Sequence, residues 1–256
     1  VLRLLDMSTG YYTLDRLGMA EEDRFRIEAT IQKPYGMILS TGPTGSGKSS
    51  SLYAILRKLN KPDLNVITLE DPVEYRVEGI RQVQLNRKAG MTFASGLRAI
   101  LRQDPDVIMV GEIRDAETAQ VAVQAAMTGH RVLSTLHTND AAGAITRLLD
   151  MGIEPFLVAS ALQASIAQRL VRTVCAYCAE PDKPSEKALE EFGIHSDDYG
   201  SLKRGKGCFN CMNTGYRGRT GIFEILTVGE MIQDMIIKRC SAQEITRLAW
   251  NSGKLR

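Results

Sequence analysis

Apolar residues come along this chain in short blocks, and two spacings alternate. Gly36-Met37-Ile38-Leu39-Ser40-Thr41 is a short, mostly apolar run before a glycine-rich loop, which reads as a buried strand. From Lys48 to Asn60 the apolar positions take helical spacing, at Leu52, Ile55, Leu56 and Leu59. Asn65-Val66-Ile67-Thr68-Leu69 predicts a second buried strand, and Phe93, Leu97, Ile100 and Leu101 mark a helix. Val107-Ile108-Met109-Val110 predicts a third strand. Asp115 stands where an N-cap belongs, ahead of an Ala-rich helix running to Met127. Arg131 to Leu136 predicts a fourth strand, ending at His137. Buried strands alternating with helices imply a mainly parallel sheet covered on both faces, an α/β fold.

From about Val171 the texture changes. Residues 172–220 hold four of the five cysteines, many glycines and few long apolar runs. Gly221 to Leu226 then reads as a strand, and two helices close the chain. The second opens with Ser241-Ala242-Gln243-Glu244, a capping-box pattern. The expected division is a linker or preceding domain ending over 1–20, a core over 21–171, a cysteine subdomain over 172–220, and a strand and helices over 221–256 that pack back on the core.

Composition narrows the picture only a little. At 44% hydrophobic and 24% charged, the 256 residues suit an ordinary globular protein with a sizeable core. A formal net charge of +2, from 32 basic and 30 acidic residues, gives no reason to expect a nucleic-acid partner. No apolar run is long enough to predict a transmembrane helix. The opening VLRLLDMSTGYY lacks the charged-then-apolar pattern of a signal peptide. It begins without Met and reads as part of a longer chain.

Three acidic or phosphate-seeking motifs fall at predicted strand ends. Gly42-Pro43-Thr44-Gly45-Ser46-Gly47-Lys48-Ser49 fits G-x-x-x-x-G-K-[ST]. Such a loop turns backbone N–H groups around phosphate oxygens at a helix N-terminus. Lys48 supplies a point charge for the β- and γ-phosphates, and the Ser49 hydroxyl is the expected Mg²⁺ ligand. A chance match occurs in roughly 1% of chains this long, and this one also follows a strand and opens a helix. Val107–Val110 leads to Gly111-Glu112, a strand-end carboxylate of the kind Mg²⁺ requires. Leu69-Glu70-Asp71-Pro72-Val73-Glu74 puts three acids after another strand, where one could orient or deprotonate an attacking water. As a bare pattern it equally fits an acidic loop.

Cys175-x₂-Cys178 and Cys208-x₂-Cys211 are separated by a 29-residue gap. Two close pairs of thiolates match a tetrahedral structural Zn²⁺ site. Disulfides are the competing reading, disfavoured beside a nucleotide loop that implies a reducing compartment. Cys240 stands alone in a helical stretch and reads as packing. His130 and His137 lie seven residues apart, a spacing that by itself fits metal ligands, a base or a sensor.

In order, GPTGSGKSS, ITLEDPVEY, LRQDPDVIMVGEIRDAETA, TGHRVLSTLHTND, AQRLVRTVC and GYRGRTGIFEIL resemble the motifs of the secretion and pilus ATPases, the type II/type IV secretion ATPase superfamily of the additional-strand P-loop class. The resemblance covers essentially the whole chain. It implies a RecA-like P-loop ATPase domain with an embedded Cys₄ zinc subdomain, working with ATP, Mg²⁺ and Zn²⁺. It implies that Gly42 to Ser50 bind ATP, that Glu74 rather than Glu70 serves the attacking water, and that Glu112 binds Mg²⁺ through water. It makes His130 and His137 sensors or positioners near the γ-phosphate. It also implies that Arg98 and Arg102, four apart on one predicted helix, and Arg3 stabilise phosphate charge across a domain or subunit boundary.

The four-cysteine insert occurs in the type II secretion and type IV pilus assembly branches, and GIEPFLVASAL and GYRGRTGIFEIL are more similar to the secretion branch. The implied protein is a cytoplasmic hexameric motor, peripheral to the inner membrane. It would engage platform and recruitment proteins and drive pseudopilus assembly. A pilus extension ATPase and an ATP-gated scaffold with little turnover are the alternatives.

Overall fold

The computed structural model describes residues 13–182, 185–191 and 202–255. In chain order the elements are α1 (Glu21–Ile31), β1 (Gly36–Thr41), α2 (Lys48–Leu59), β2 (Val66–Glu70), β3 (Arg81–Gln84), α3 (Phe93–Ile100), β4 (Val107–Val110), α4 (Ala116–Met127), β5 (Arg131–Leu136), α5 (Gly143–Asp150), α6 (Pro155–Ala161), β6 (Leu162–Val174), β7 (Ala179–Pro181), α7 (Glu186–Glu191), β8 (Lys203–Gly205), β9 (Tyr216–Thr227), α8 (Glu230–Ile237) and α9 (Ala242–Asn251). They fall into two compact units. One comprises the residues up to Arg169 with those from Gly221 on, and the other is Leu170–Thr220.

The first unit is built on a seven-stranded sheet in the order β3-β2-β4-β5-β1-β6-β9. From β1 to β6 the neighbouring strands pair in parallel. Strands buried on both faces need apolar residues of both parities, and these have them. Met37 and Leu39 of β1 join Val132 of β5 in one core with α3, α4, α5, α6 and α8. Ile38 and Leu133 face the other core, with α1 and α2. The sheet is thus a two-faced layer covered by helices, as its apolar runs predict.

The register decides what the sheet can present. Thr41 of β1 pairs with Leu136 of β5, Val110 of β4 with Ser134, and Leu69 of β2 with Val110. The residues that follow these strands therefore emerge along one edge: Gly42, His137, Gly111-Glu112 and Asp71. Carboxyl edges of parallel sheets are where ligands bind, because the connecting loops have room there.

Some elements escape the apolar pattern. β3 is RQVQ, a polar edge strand whose ends are exposed. β6 carries Ser165 and Gln168 fully buried beside Ala164, Ile166 and Ala167, so its interior stretch lacks an apolar run. The predicted helix through Leu101 stops at Ile100, and Arg102 falls in the 3-10 turn Leu101–Gln103. Asp104 there has φ 51° and precedes Pro105, and the residue before a proline is driven out of helical geometry. β9 begins at Tyr216, before the expected Gly221.

In the second unit, β7 and β8 pair antiparallel. Gly205 and Gly215 approach so closely that a Cβ on Gly205 would lie 1.9 Å from the Gly215 carbonyl oxygen. Arg172 stacks 4.0 Å over the Tyr216 ring and Arg217 5.5 Å over Tyr177, within cation–π range.

Candidate functional site

β1 delivers the chain into the glycine loop. Gly42 takes φ 139°, and a Cβ there would sit 2.4 Å from the Gln168 carbonyl oxygen. Gly47, at φ 90°, is the left-handed N-cap that starts α2. Pro43, Thr44 and Gly45 are exposed, whereas Ser46 and Lys48 are buried. The Lys48 ammonium donates to the carbonyls of Gly42 at 2.8 Å and Pro43 at 3.0 Å. Burial holds its pKa below the ordinary lysine value, and nearby Glu112 partly offsets that. The buried Ser46 hydroxyl has no hydrogen-bond partner. A loop with a buried cation, an unsatisfied hydroxyl and an open mouth suits anionic oxygens. Ser49 and Ser50, on the first turn of α2, are half-buried.

Glu112 is held on three sides. Arg114 Nη2 lies 2.5 Å from its Oε1, and His137 Nε2 lies 3.7 Å from its Oε2. Lys48 is close enough to feel its charge. Hydroxyls on β5 fix this strand end: Ser134 donates to the Val110 carbonyl and Thr135 to that of Gly111, both at 2.8 Å. Arg114 is a partner that the spacing of motifs does not reveal.

The three acids after β2 separate into different roles. Glu70 is buried at 4% exposure, and its carboxylate accepts from Tyr53 Oη, Thr68 Oγ1 and Gln82 Nε2. Asp71 accepts from Arg87 Nε at 2.7 Å. Glu74 is half-buried and lines an open cleft of about 940 Å³ together with Arg57, Arg76 and Gln84. Of the three, Glu74 is the one that lines this cleft.

The histidines do not meet. His137 follows β5 at the carboxyl edge, but His130 precedes that strand. Its carbonyl receives the Gly36 N–H, at the opposite edge from the loop. At about 3.3 Å per residue the two histidines are roughly 23 Å apart. The expectation that both approach one phosphate region within this chain therefore fails on strand geometry. His130 Nδ1 is 3.0 Å from the Ala125 carbonyl, closing the C-terminus of α4. The same carbonyl accepts from the N–H groups of Thr128 and His130, so the turn after α4 closes on it.

Arg98 is exposed and donates to Glu117 Oε1 at 2.7 Å, and Arg102 is exposed on its turn. Arg3 lies outside the described residues, as does His195. Gln168 lies within the stretch AQRLVRTVC, but the sequence gives it no role of its own. It accepts from Ser51 Oγ at 2.6 Å and backs Gly42 with its carbonyl, so it braces the loop from β6.

In the second unit the four sulfurs of Cys175, Cys178, Cys208 and Cys211 lie within 4.8 Å of one another. Cys175 and Cys178 are each 3.9 Å from their opposite numbers, Cys208 and Cys211, and the latter two are 3.7 Å apart. A tetrahedron with bonds of about 2.3 Å has edges of about 3.8 Å, so the sulfurs are spaced for one metal ion. The N–H groups of Cys208 and Gly215 point at Cys211 Sγ, at 3.2 and 3.3 Å. Such second-layer donors orient ligands. Cys240 is half-buried against the first unit's core.

The parallel sheet, its glycine loop and the strand-end carboxylate beside the loop's lysine place the molecule among α/β proteins of the secretion and pilus ATPase kind. In fold it is similar to a crystal structure of the pilus retraction motor PilT with bound ADP (29% identity, TM-score 0.69, covering 93% of this chain and 59% of that one). It is also similar to the Legionella pneumophila ATPase DotB (27%, 0.66, 96% and 58%).

The chain belongs to the Type II/IV secretion system protein family, whose profile matches residues 1–256. It is 55% identical over 253 residues to type II secretion system protein E of Pseudomonas aeruginosa, covering 99% of this chain and 50% of that protein. It is 52% identical to type II secretion system ATPase E of Vibrio cholerae (96% and 49%) and 49% identical to the type IV pilus assembly ATPase PilB of Thermus thermophilus (99% and 29%). The chain spans about half the length of the type II secretion relatives it matches. No described helix is long and apolar enough to cross a membrane.

Proposed function

We propose that this chain is the ATP-hydrolysing motor portion of a type II secretion machine, driving pseudopilus assembly and export across the outer membrane. The observation that carries the reading is the meeting of Lys48, Glu112 and His137 at the carboxyl edge, beside the glycine loop. Gly42 to Ser50 would hold ATP. Ser49, and Glu112 through water, would hold Mg²⁺, which neutralises charge developing on the transferred phosphoryl group. Lys48 leaves the loop carbonyls for the phosphates. Glu74 orients and deprotonates the attacking water, because Glu70 has its oxygens occupied by three donors. His137, poised on Glu112, reads the state of the γ-phosphate. His130 is assigned to the helix cap.

Arg98, Arg102 and Arg3 would complete a site across a domain or subunit boundary of a homo-hexamer. The motor would sit on the cytoplasmic face of the inner membrane, bound peripherally through platform and recruitment proteins. The four cysteines would hold Zn²⁺ in a structural role, since protein sulfurs fill every corner of the tetrahedron. The 49% identity to a pilus assembly ATPase supports a second reading with the same chemistry in a pilus machine. Capture of the membrane partner separates the two.

The direct test is ATP turnover per chain across a wide range of protein concentration, with Glu74→Gln as the blank. Turnover that rises with concentration is expected of a site completed by a neighbour. Turnover flat and no higher than the blank would replace the motor with an ATP-gated scaffold.

A further inference from the structure

The loop that carries Glu74 is tied down by a half-buried amide whose bonds fix its orientation. Gln82, on edge strand β3, donates from Nε2 to the Tyr75 carbonyl at 2.7 Å, and its Oε1 accepts from the Val77 N–H at 2.8 Å. These are the first and third residues after Glu74. The same Nε2 lies 3.3 Å from Glu70 Oε1 and 3.4 Å from Tyr53 Oη. Turning the amide over would set its oxygen against the Tyr75 carbonyl and the Glu70 carboxylate, and its NH₂ against an N–H. Only one orientation is satisfied.

Glu70 is locked in turn by Thr68 and by Tyr53 of α2, the helix that begins at Lys48. The Tyr53 and Tyr75 rings pack edge to face at 5.7 Å. A second tie runs from the far end of α2, where Asn60 Nδ2 donates to the Glu78 carbonyl at 2.9 Å. The loop is thus tied to the nucleotide-loop helix at Tyr75, by Tyr53, and at Glu78, by Asn60, while its outer side stays open to the cleft.

We propose that Gln82 is a positioning residue for Glu74, transmitting the placement of α2 to the carboxylate through Glu70 and Tyr53. The inference rests on the reading of Glu74 as the water-orienting base. It explains why a polar side chain is kept at an inward position of an otherwise polar edge strand. It also explains the buried Glu70, which is the acceptor that fixes which way the amide faces.

The test uses Gln82→Met, which keeps length and removes both hydrogen bonds, and Gln82→Glu, assayed in the intact protein. Gln82→Met should lower kcat by up to about 100-fold, the cost of misplacing a catalytic group by about an ångström. ATP affinity should stay within about threefold. Parallel loss of affinity and kcat, or an unchanged kcat, overturns the proposal.

Gln82→Glu supplies a readout that packing alone would not move. Protonated, its carboxylic acid can donate to Tyr75 and accept from Val77 as the amide does. Ionised, it lacks the donor and faces Glu70. Beside another carboxylate its pKa is raised. Its turnover relative to the parent should therefore rise as pH falls. A ratio that does not rise as pH falls overturns the proposal, and this profile decides alone if Gln82→Met fails to fold. Parent-like turnover in Glu74→Gln would sink the reading of Glu74 itself. A dead Glu74→Gln beside a parent-like kcat in Gln82→Met would sink only the role of Gln82.

Discussion

The two units of this chain are ordered by opposite means. The first buries dozens of apolar side chains on both faces of a sheet, and its polar chemistry sits at the rim of that solid. In the second, Cys175 and Cys211 are the only buried hydrophobic side chains among the described residues. The described residues there remove little apolar area from water to set against the entropy of ordering the chain. Four sulfurs at tetrahedral spacing would supply a few strong bonds there if they hold the proposed Zn²⁺. Sparse apolar burial around clustered thiols is itself a reason to look for a metal centre.

The sharpest way to break this contrast is to deny the four cysteines the Zn²⁺ proposed for them. Four-ligand zinc sites contribute about 10–16 kcal/mol, more than a unit of this size can replace. Chelation, or Cys208→Ser, should abolish amide-exchange protection across Leu170–Thr220 and leave β1, β4 and β5 protected. Metal analysis of chelator-free protein should give about one zinc per chain. Equal loss in both units would mean that they are not ordered separately.

The reverse experiment acts on chemistry without touching order. Lys48→Ala should cut turnover by at least ~100-fold, the scale for losing a principal electrostatic group, with the cysteine unit's zinc content unchanged. Normal turnover in that variant would remove the glycine loop from the reaction.

A smaller handle separates the units by pH. Hydrogen bonds from the Ser241 hydroxyl and backbone N–H hold the Glu244 carboxyl below its ordinary pKa at the start of α9. A depressed carboxyl stabilises the fold above its unfolded-state pKa, and that contribution is lost as pH falls through the folded one. Mild acid should therefore loosen α9 in the parent and have less effect on Ser241→Ala, which forfeits about 1 kcal/mol of capping at neutral pH. Identical acid responses would detach Glu244 from the cap.

What can be read from the chain alone follows from how its chemistry is distributed. The glycine loop, the acids after β2, Glu112 and the paired cysteines are contiguous, so their local spacing carries them. Gln82 is invisible in the sequence because its partners, Tyr53, Glu70, Tyr75 and Val77, come from three other segments. β6 hides because Ser165 and Gln168 occupy core positions, the latter with its polarity absorbed by Ser51. The histidines mislead for a geometric reason. Seven residues is a short distance in a sequence or a helix, and the full height of a sheet in a strand.

The order of the strands reaches beyond stability. β6 and β9 are neighbours in the sheet, yet all four clustered cysteines, Cys175 to Cys211, lie between them in sequence. Two adjacent strands need only a turn to join them, so the sheet places no demand on what that turn contains. The cysteine unit is therefore cargo on a connection, free to be lengthened, exchanged or lost over evolutionary time while the edge that carries Lys48 and Glu112 stays as it is.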